Sequence, residues 1–358
     1  MNNLNTKELR SAIKQYAKPS NKLALFIFFS DLTIYTLAIA GTIMFESLLL
    51  RIACGVLAGL RIGTLFLVSH DAGHDSFTSN RLWNSIIGRI AFLPSFHNYS
   101  LWLIAHNRAH HQSPNIKDIN SWSPLSKEDY DCLSKSRKMI EHLYRSPLGI
   151  SFNYMVERWW KDKFFPYKRI IRQHNPSYFL DFILVFTYMI TFTLALIYMG
   201  MQVTHTNPLE VLLLALILPF LVSNFLIGMT VYQHHTHETV PWFKTQKERN
   251  AYASLEDITV HIKYPHWYNL ISHNAMEHTA HHVDPRVPLY NLSKAQTVLC
   301  ELYGQDLITM DFSLFNFLST MNKCKLYDYE NHLWLDFEGN STSSKLVVVE
   351  EMEYEKAA

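Results

Sequence analysis

Four apolar stretches, residues 22–44, 47–69, 178–200 and 209–231, constrain this chain more than any other feature of its sequence. About 20 helical residues suffice to cross the roughly 30 Å hydrocarbon core of a bilayer. Lipid offers the backbone no hydrogen-bond partners, so such a segment must satisfy its own N–H and C=O groups, as a helix does. The sequence therefore predicts an all-α integral membrane protein with four transmembrane helices. Asp31, Arg51 and Arg61 interrupt the first two stretches. A charge near the centre of a span costs about 2.5–3.5 kcal/mol on insertion scales, so these three are expected to face the bundle interior, as structural pairs and not a substrate path, or to snorkel.

The turns near Glu46 and between residues 200 and 209 lack lysine and arginine, whereas residues 105–177 and the C-terminal part are rich in them. The positive-inside rule then places both termini in the cytoplasm. The implied layout is a cytoplasmic N-terminal segment 1–21, a membrane domain 22–336 with a mostly helical cytoplasmic cap made of 70–177 and 232–336, and a polar tail 337–358 expected to be loosely ordered. Residues 1–20 lack the charged-then-apolar order of a cleavable signal peptide. Asn80–Ile104 contains Pro94 and is expected to be re-entrant or interfacial. Glu157–Arg172 mixes Trp and Phe with Lys and Arg, as an interfacial segment on an anionic leaflet would. Four cysteines without a CxxC spacing predict neither a disulfide framework nor a thiolate metal site, which fits a reducing compartment. A net charge of +1 and the lack of a basic patch interleaved with aromatics give no sign of nucleic acid binding.

Four spans return every histidine cluster to one face. His70 and His74 lie four residues apart, one turn of helix. In His106-Asn-Arg-Ala-His110-His111, α-helical spacing puts His106 and His110 on one face and turns His111 away by about 140°. His278, His281 and His282 converge beside one helix, and the last two diverge by about 100°, so one triplet can serve two metals. After the fourth span come His234, His235 and His237, of which His234 is favoured as a further ligand and His235 is a possible one. His273 is read as a ligand or as a partner behind one, with Asn269 one turn before it. Asp71, Asp75, Gln233, Glu277 and Asp284 are candidate acceptors that fix imidazole tautomers. His97, His142, His174, His205, His261, His266 and His332 lack ligand spacing and are read as ordinary polar residues.

Eight clustered histidines plus His234 exceed the coordination of one ion, so two metals are implied. Nitrogen ligands suit Zn, Cu, Fe or Ni. No Glu-x-x-His pair occurs, unlike in the soluble carboxylate-bridged di-iron bundles. A zinc hydrolase needs only three protein ligands. A membrane metal-binding or transport protein is the non-enzyme alternative, but it would place ligands near mid-membrane, where these spans have no histidine.

His70-Asp-Ala-Gly-His74, His106-Asn-Arg-Ala-His110-His111 and His278-Thr-Ala-His281-His282, in this order around four spans, resemble the three histidine boxes of the membrane fatty acid desaturase and hydroxylase superfamily. His273-Asn274 and the run from His281 to Leu292 are most similar to the methyl-end acyl desaturase branch, and the likeness covers about residues 45–300. The resemblance implies a cytoplasm-facing, histidine-rich di-iron site: two non-haem iron ions held by His70, His74, His106, His110, His111, His278, His281 and His282, with His234 matching the family's extra histidine. It implies O2 as co-substrate and removal of two hydrogens from an unactivated fatty acyl chain. Free acid, thioester and lipid-bound chains all remain open. The second box has one more residue before its His-His than is usual in that branch and is closer to the box of alkane hydroxylases. Hydroxylation, triple-bond formation and oxidative decarboxylation to a 1-alkene therefore stand behind desaturation as alternatives. Without a His-Pro-Gly-Gly haem motif, electrons are expected from an external ferredoxin or cytochrome-type donor, for which the basic 105–172 face is a plausible dock.

Overall fold

A computed structural model of the chain describes residues 6–346 except 121, 165–175, 203, 205, 254–257, 305 and 306. Among the described residues, four helices are long and apolar enough to cross a membrane: Asn21–Met44, Leu48–Gly73, Ser177–Gln202 and Pro208–His235. They coincide with the four apolar stretches, with one systematic difference. The second and fourth helices each run four residues past the end of the hydrophobic sequence, to Gly73 and His235. Backbone hydrogen bonding carries a helix on after its apolar face has ended, and here it lifts the histidine motifs clear of the lipid on rigid supports. Within the fourth helix a π-helical turn, Leu213–Ile217, precedes Pro219, whose ring nitrogen cannot continue the regular ladder.

The charges inside the spans are paired, as the cost of burying them requires. Arg51 Nη1 meets Glu210 Oε1 at 2.5 Å and its Nε donates to the Thr42 carbonyl. Arg61 Nη1 meets Asp31 Oδ1 at 2.9 Å, tying the second span to the first. The second and fourth spans approach closely along Gly55-x-x-x-Gly59, where small residues let two backbones touch. A Cβ at Gly55 would lie 2.6 Å from the Leu214 carbonyl oxygen, and one at Gly59 would lie 2.6 Å from Val222 Cβ. One turn further on, a Cβ at Gly63 would meet only Leu226 Cδ1, at 3.6 Å. The two helices are thus clamped at one end and separate towards the histidines.

The remaining chain forms a cap over that separating end. Asn80–Ile104 folds as helix Arg81–Phe92, a turn at Leu93–Ser95 and helix Tyr99–Leu103. Asn80 caps the first of these by accepting from Leu82 and Trp83 N–H. Its exposed Leu82, Trp83, Ile86 and Ile90 form a lipid-compatible face. Arg89 Nε on Asp181 Oδ1, at 2.6 Å, ties it to the third span. Tyr154–Phe164 is a π-helical segment whose Trp159 Nε1 donates to the Phe96 carbonyl while Trp160 is exposed. Residues 165–172 of the expected interfacial stretch, like His174, His205 and residues 347–358 of the tail, lie outside the described residues.

Among the described residues, two small sheets supplement the helices. His261–Lys263 pairs in parallel with Thr309–Asp311, and Leu326–Asp328 pairs antiparallel with Leu333–Leu335. Residues 337–346 differ from the loose tail expected. Thr342 N–H donates to the Trp334 carbonyl and Leu346 N–H to that of His332, while Phe337 packs on His142 and Tyr130. The fully buried Trp334, through its carbonyl, anchors this polar stretch.

Candidate metal centre

His70 sits on the last full turn of the second span and His74 is the C-cap residue of that helix. Asp71, 2% exposed, approaches His70 Nδ1 with Oδ1 at 3.0 Å, while its Oδ2 accepts the Leu289 N–H. One carboxylate therefore orients a ring and anchors the loop downstream of the third motif.

The second motif departs from the α-helical expectation. Ile104–His110 is a π-helical turn, and the His111 N–H donates to the His106 carbonyl, five residues back. Widening the turn by one residue brings positions i and i+5 onto one face. His106 and His111 Nε2 atoms accordingly lie 3.0 Å apart, and His110 is the residue turned elsewhere. The expected pairing of His106 with His110 is thus replaced by one with His111, and the extra residue of this motif is what the wide turn accommodates.

Among the described residues the histidines assemble into two groups. His70, His74, His106, His111 and His281 form one, and His110, His235, His278 and His282 form the other, with one ring nitrogen from each residue of a group within 4.8 Å of those of the others. Each His-His pair is divided, His111 and His281 going to the first group and His110 and His282 to the second. The groups adjoin, since the rings of His111 and His282 stack at 4.6 Å. His281 Nε2 lies 3.0 Å from His111 Nε2, and His235 Nε2 lies 2.9 Å from His278 Nε2.

These spacings fit metal ions. Nitrogens about 2.1 Å from a common ion lie about 3 Å apart when adjacent and about 4.2 Å apart when opposite. Neutral rings are also required, and burial first, then neighbouring imidazoles, holds His74, His106, His278, His281 and His282 well below the ordinary imidazole value. The same causes pull His111 down to about 3. His74 Nε2 and both ring nitrogens of His282 are buried without a hydrogen-bond partner among the described residues. Buried polar atoms left so are costly, and an ion would satisfy them.

Of the two adjacent histidines ending the fourth span, the one that joins a group is His235. Its Nδ1 contacts the Ile258 carbonyl at 3.0 Å, which directs Nε2 inward. His234, favoured from sequence, instead stacks flat on His278 with ring centres 3.7 Å apart. Successive helical positions diverge by about 100°, so both cannot point at one ion. His237 is outside both groups and bonds Thr239. His273 also lies outside, its Nε2 2.6 Å from Asp31 Oδ2.

The candidate acceptors separate likewise. Asp75 is half exposed and pairs with Arg81, and Asp284 pairs with Arg286. Asn269 donates to Glu277, which also pairs with His261 at 3.0 Å, and Gln233 contacts Tyr264. Of the five acidic or amide candidates proposed for imidazoles, Asp71 is the one seen on a grouped histidine. Two contacts carried no sequence signal: Asn120 Nδ2 lies 3.4 Å from His110 Nδ1, and the indole of Trp102 stacks on His106 at 4.3 Å.

A cavity of about 490 Å³ lies between the second and fourth spans and reaches both groups. Phe66, Leu67, Ile104, Ile119, Ile227 and Val231 supply apolar wall, while Arg61 and His273 also line it. A mostly apolar wall with a few polar groups is the usual character of a site for an apolar ligand.

The fatty acid desaturase model matches residues 46–313. Among curated relatives, the chain is 28% identical over 280 residues to the chloroplastic omega-6 fatty acid desaturase of Spinacia oleracea, covering 78% of this chain and 60% of that protein. The Glycine max protein of the same name is 28% identical over 279 residues, 78% of this chain and 63% of that one. The sn-1 oleoyl-lipid 12-desaturase of Picosynechococcus is 27% identical over 289 residues, 78% of each. The chain thus spans about three fifths of the length of these two plant relatives. A family match over most of its length, taking in the second, third and fourth spans and both histidine groups, means that the chain belongs to the fatty acid desaturase family.

Proposed function

We propose that this protein is an O2-dependent membrane desaturase that introduces a double bond into the acyl chain of a membrane lipid. The observation carrying this reading is the pair of histidine groups, five and four residues strong, beside an apolar cavity between two spans. Iron ions held by the nine grouped histidines would supply the activation of O2 needed to take two hydrogens from an unactivated carbon–carbon bond. The protein's own side chains do the rest. His70, His74, His106, His111 and His281 are proposed as ligands to one ion, and His110, His235, His278 and His282 to the other.

Asp71 and the Ile258 carbonyl hold His70 and His235 in the tautomers that leave Nε2 free to coordinate, a role that outer partners of metal-bound imidazoles commonly fill. Trp102, Phe66 and Ile227 keep water from the reacting bond and hold the chain still. Fixed placement matters because near-attack geometry contributes heavily to rate. Desaturation is favoured over hydroxylation by the names of the relatives, which include omega-6 and lipid 12-desaturases. The basic residues of the cap support a cytoplasmic orientation for the histidines and both termini, with electrons delivered there by a ferredoxin or cytochrome-type donor.

The test is gas chromatography with mass spectrometry of total lipids from cells expressing the chain, beside a His281→Ala control. A new unsaturated acyl chain absent from the control supports the proposal. A hydroxylated chain or a terminal alkene in its place would retain the metal centre and overturn the assigned product.

A further inference from the structure

Arg61 lines the cavity nine residues before His70 on the same helix. Its Nη1 meets Asp31 at 2.9 Å and its Nη2 donates to the Ile271 carbonyl at 3.2 Å, while Nε is buried with no partner among the described residues. The imidazole of His273 meets the other oxygen of Asp31 at 2.6 Å and also lines the cavity. His273 and Asn274 both hold left-handed backbone, φ +50° and +58°, and the Asn274 side chain secures the turn on the Leu289 carbonyl. Left-handed non-glycine residues are costly and concentrate at functional sites. Just before this turn, the short helix His266–Ile271 exposes Trp267 and Leu270, at 62% and 61%. Exposed Trp beside a span is the usual marker of the lipid–water boundary. None of these three polar side chains contributes to a histidine group.

We propose that the Asp31–Arg61–His273 cluster binds the carbonyl oxygen of the acyl substrate and so sets where along the chain the reaction falls. The inference rests on reading the cavity as an acyl site. Arg61 is the donor. Asp31 neutralises and orients it, and His273 holds Asp31 from the other side. Arg61 and Asp31 bring one positive and one negative charge to the cluster. The exposed Nη2 has a second N–H beyond the one on Ile271, and a neutral ester carbonyl can accept it without adding charge, whereas a free carboxylate would add a negative charge beside Asp31 in a low-dielectric setting.

The geometry also gives a ruler. Nine residues of helix span about 13.5 Å at 1.5 Å per residue. A carbon zigzag of roughly 1.52 Å bonds at about 111° advances about 1.25 Å per bond. The reacting carbons therefore lie on the order of ten bonds from the carbonyl, and the methyl end lies towards Ile104 and Ile119.

Photocrosslinking of the full chain in lipid nanodiscs tests this without turnover. Two fatty acyl methyl esters serve as probes, one with a diazirine next to the ester and one with a diazirine at the methyl end. The first is expected to label residues 60–64 and 271–273, and the second residues 104–105 and 119. Methyl oleate should compete at least tenfold better than oleic acid. The double variant Asp31→Asn/Arg61→Gln, which removes both charges together, should lose the first label tenfold while its iron content is unchanged, and Arg61→Lys should retain part of it.

Reversed labels, or a double variant that labels normally, would overturn the site, and better competition by oleic acid would overturn the preference for an ester. Expected labels from a protein that forms no unsaturated product would sink the desaturase reading and leave the carbonyl site standing. Product formation with reversed labels would do the opposite.

Discussion

The Nε2 atoms of His106 and His111 lie 3.0 Å apart, although five residues separate them in the sequence. In an α-helix, positions five apart diverge by about 140°, so this contact exists because the turn between them is π-helical. The wide turn lets a motif one residue longer than usual present the same two imidazoles to one group.

Removing one residue should therefore be tolerated where adding one is not. Deleting Ala109 places the first and last histidines of the motif four apart, the α-helical equivalent of the present arrangement. The deletion is expected to retain two iron ions per chain by elemental analysis, while inserting an alanine at the same point loses the ion of the first group. Loss of iron in the deletion variant would count against this account of the turn.

His234 and His235 are neighbours with different surroundings. His235→Ala is expected to lose one iron on dialysis against a mild chelator, and His234→Ala to keep both. An inverted pattern would return His234 to the role read from sequence.

Asp71 backs His70 through a 3.0 Å contact. Substitutions behind metal-bound imidazoles commonly weaken metal affinity by about 10–100-fold. Asp71→Asn should fall in that range in a competitive chelator titration, and an unchanged affinity would remove Asp71 from the centre.

Protons act on the metal-free chain through its buried imidazoles. His111 is held down to about 3 and five of its neighbours outside the spans are also lowered, whereas an unfolded imidazole titrates near 6.5. Between those values the unfolded state binds more protons than the native state, so stability falls as pH drops. The effect should begin near pH 6.5 and for His111 continue to about pH 3. Thermal melts of chelator-treated protein should show a lower Tm at pH 5.5 than at pH 7.5, and an equal or higher Tm would contradict these burial effects.

Gly59 allows the second and fourth spans to meet. A Cβ there would lie 2.6 Å from Val222 Cβ and 2.9 Å from the Pro219 carbonyl oxygen. Gly59→Val should destabilise the fold by about 1–3 kcal/mol or more, the usual range for overpacking. A lowered Tm in detergent checks it, and an unchanged Tm would mean the helices can separate freely.

Much of this architecture was legible in the sequence because lipid makes simple demands. Apolar length specified the four spans in spite of three charges, and the cost of intramembrane charge anticipated that such charges would be paired, as Asp31 and Arg61 are. Histidine spacing anticipated the division of His281 from His282. What stayed hidden depended on local backbone geometry or distant contacts. The side chains alone do not announce the π turn at Ile104–His110. The choice of His235 over His234 depends on the Ile258 carbonyl, 23 residues away in sequence, and the placement of His273 depends on Asp31, 242 residues away. The packing of residues 337–346 was masked by their polar composition.

The central claim is that two adjoining histidine groups each hold one ion, and iron content tests it most directly. Purified protein should contain two irons per chain, and His70→Ala/His74→Ala and His278→Ala/His282→Ala should each contain one. Combining all four substitutions should leave none. A wild-type chain with a single iron, or a double variant that loses both ions or neither, would contradict the division of the nine histidines into two sites.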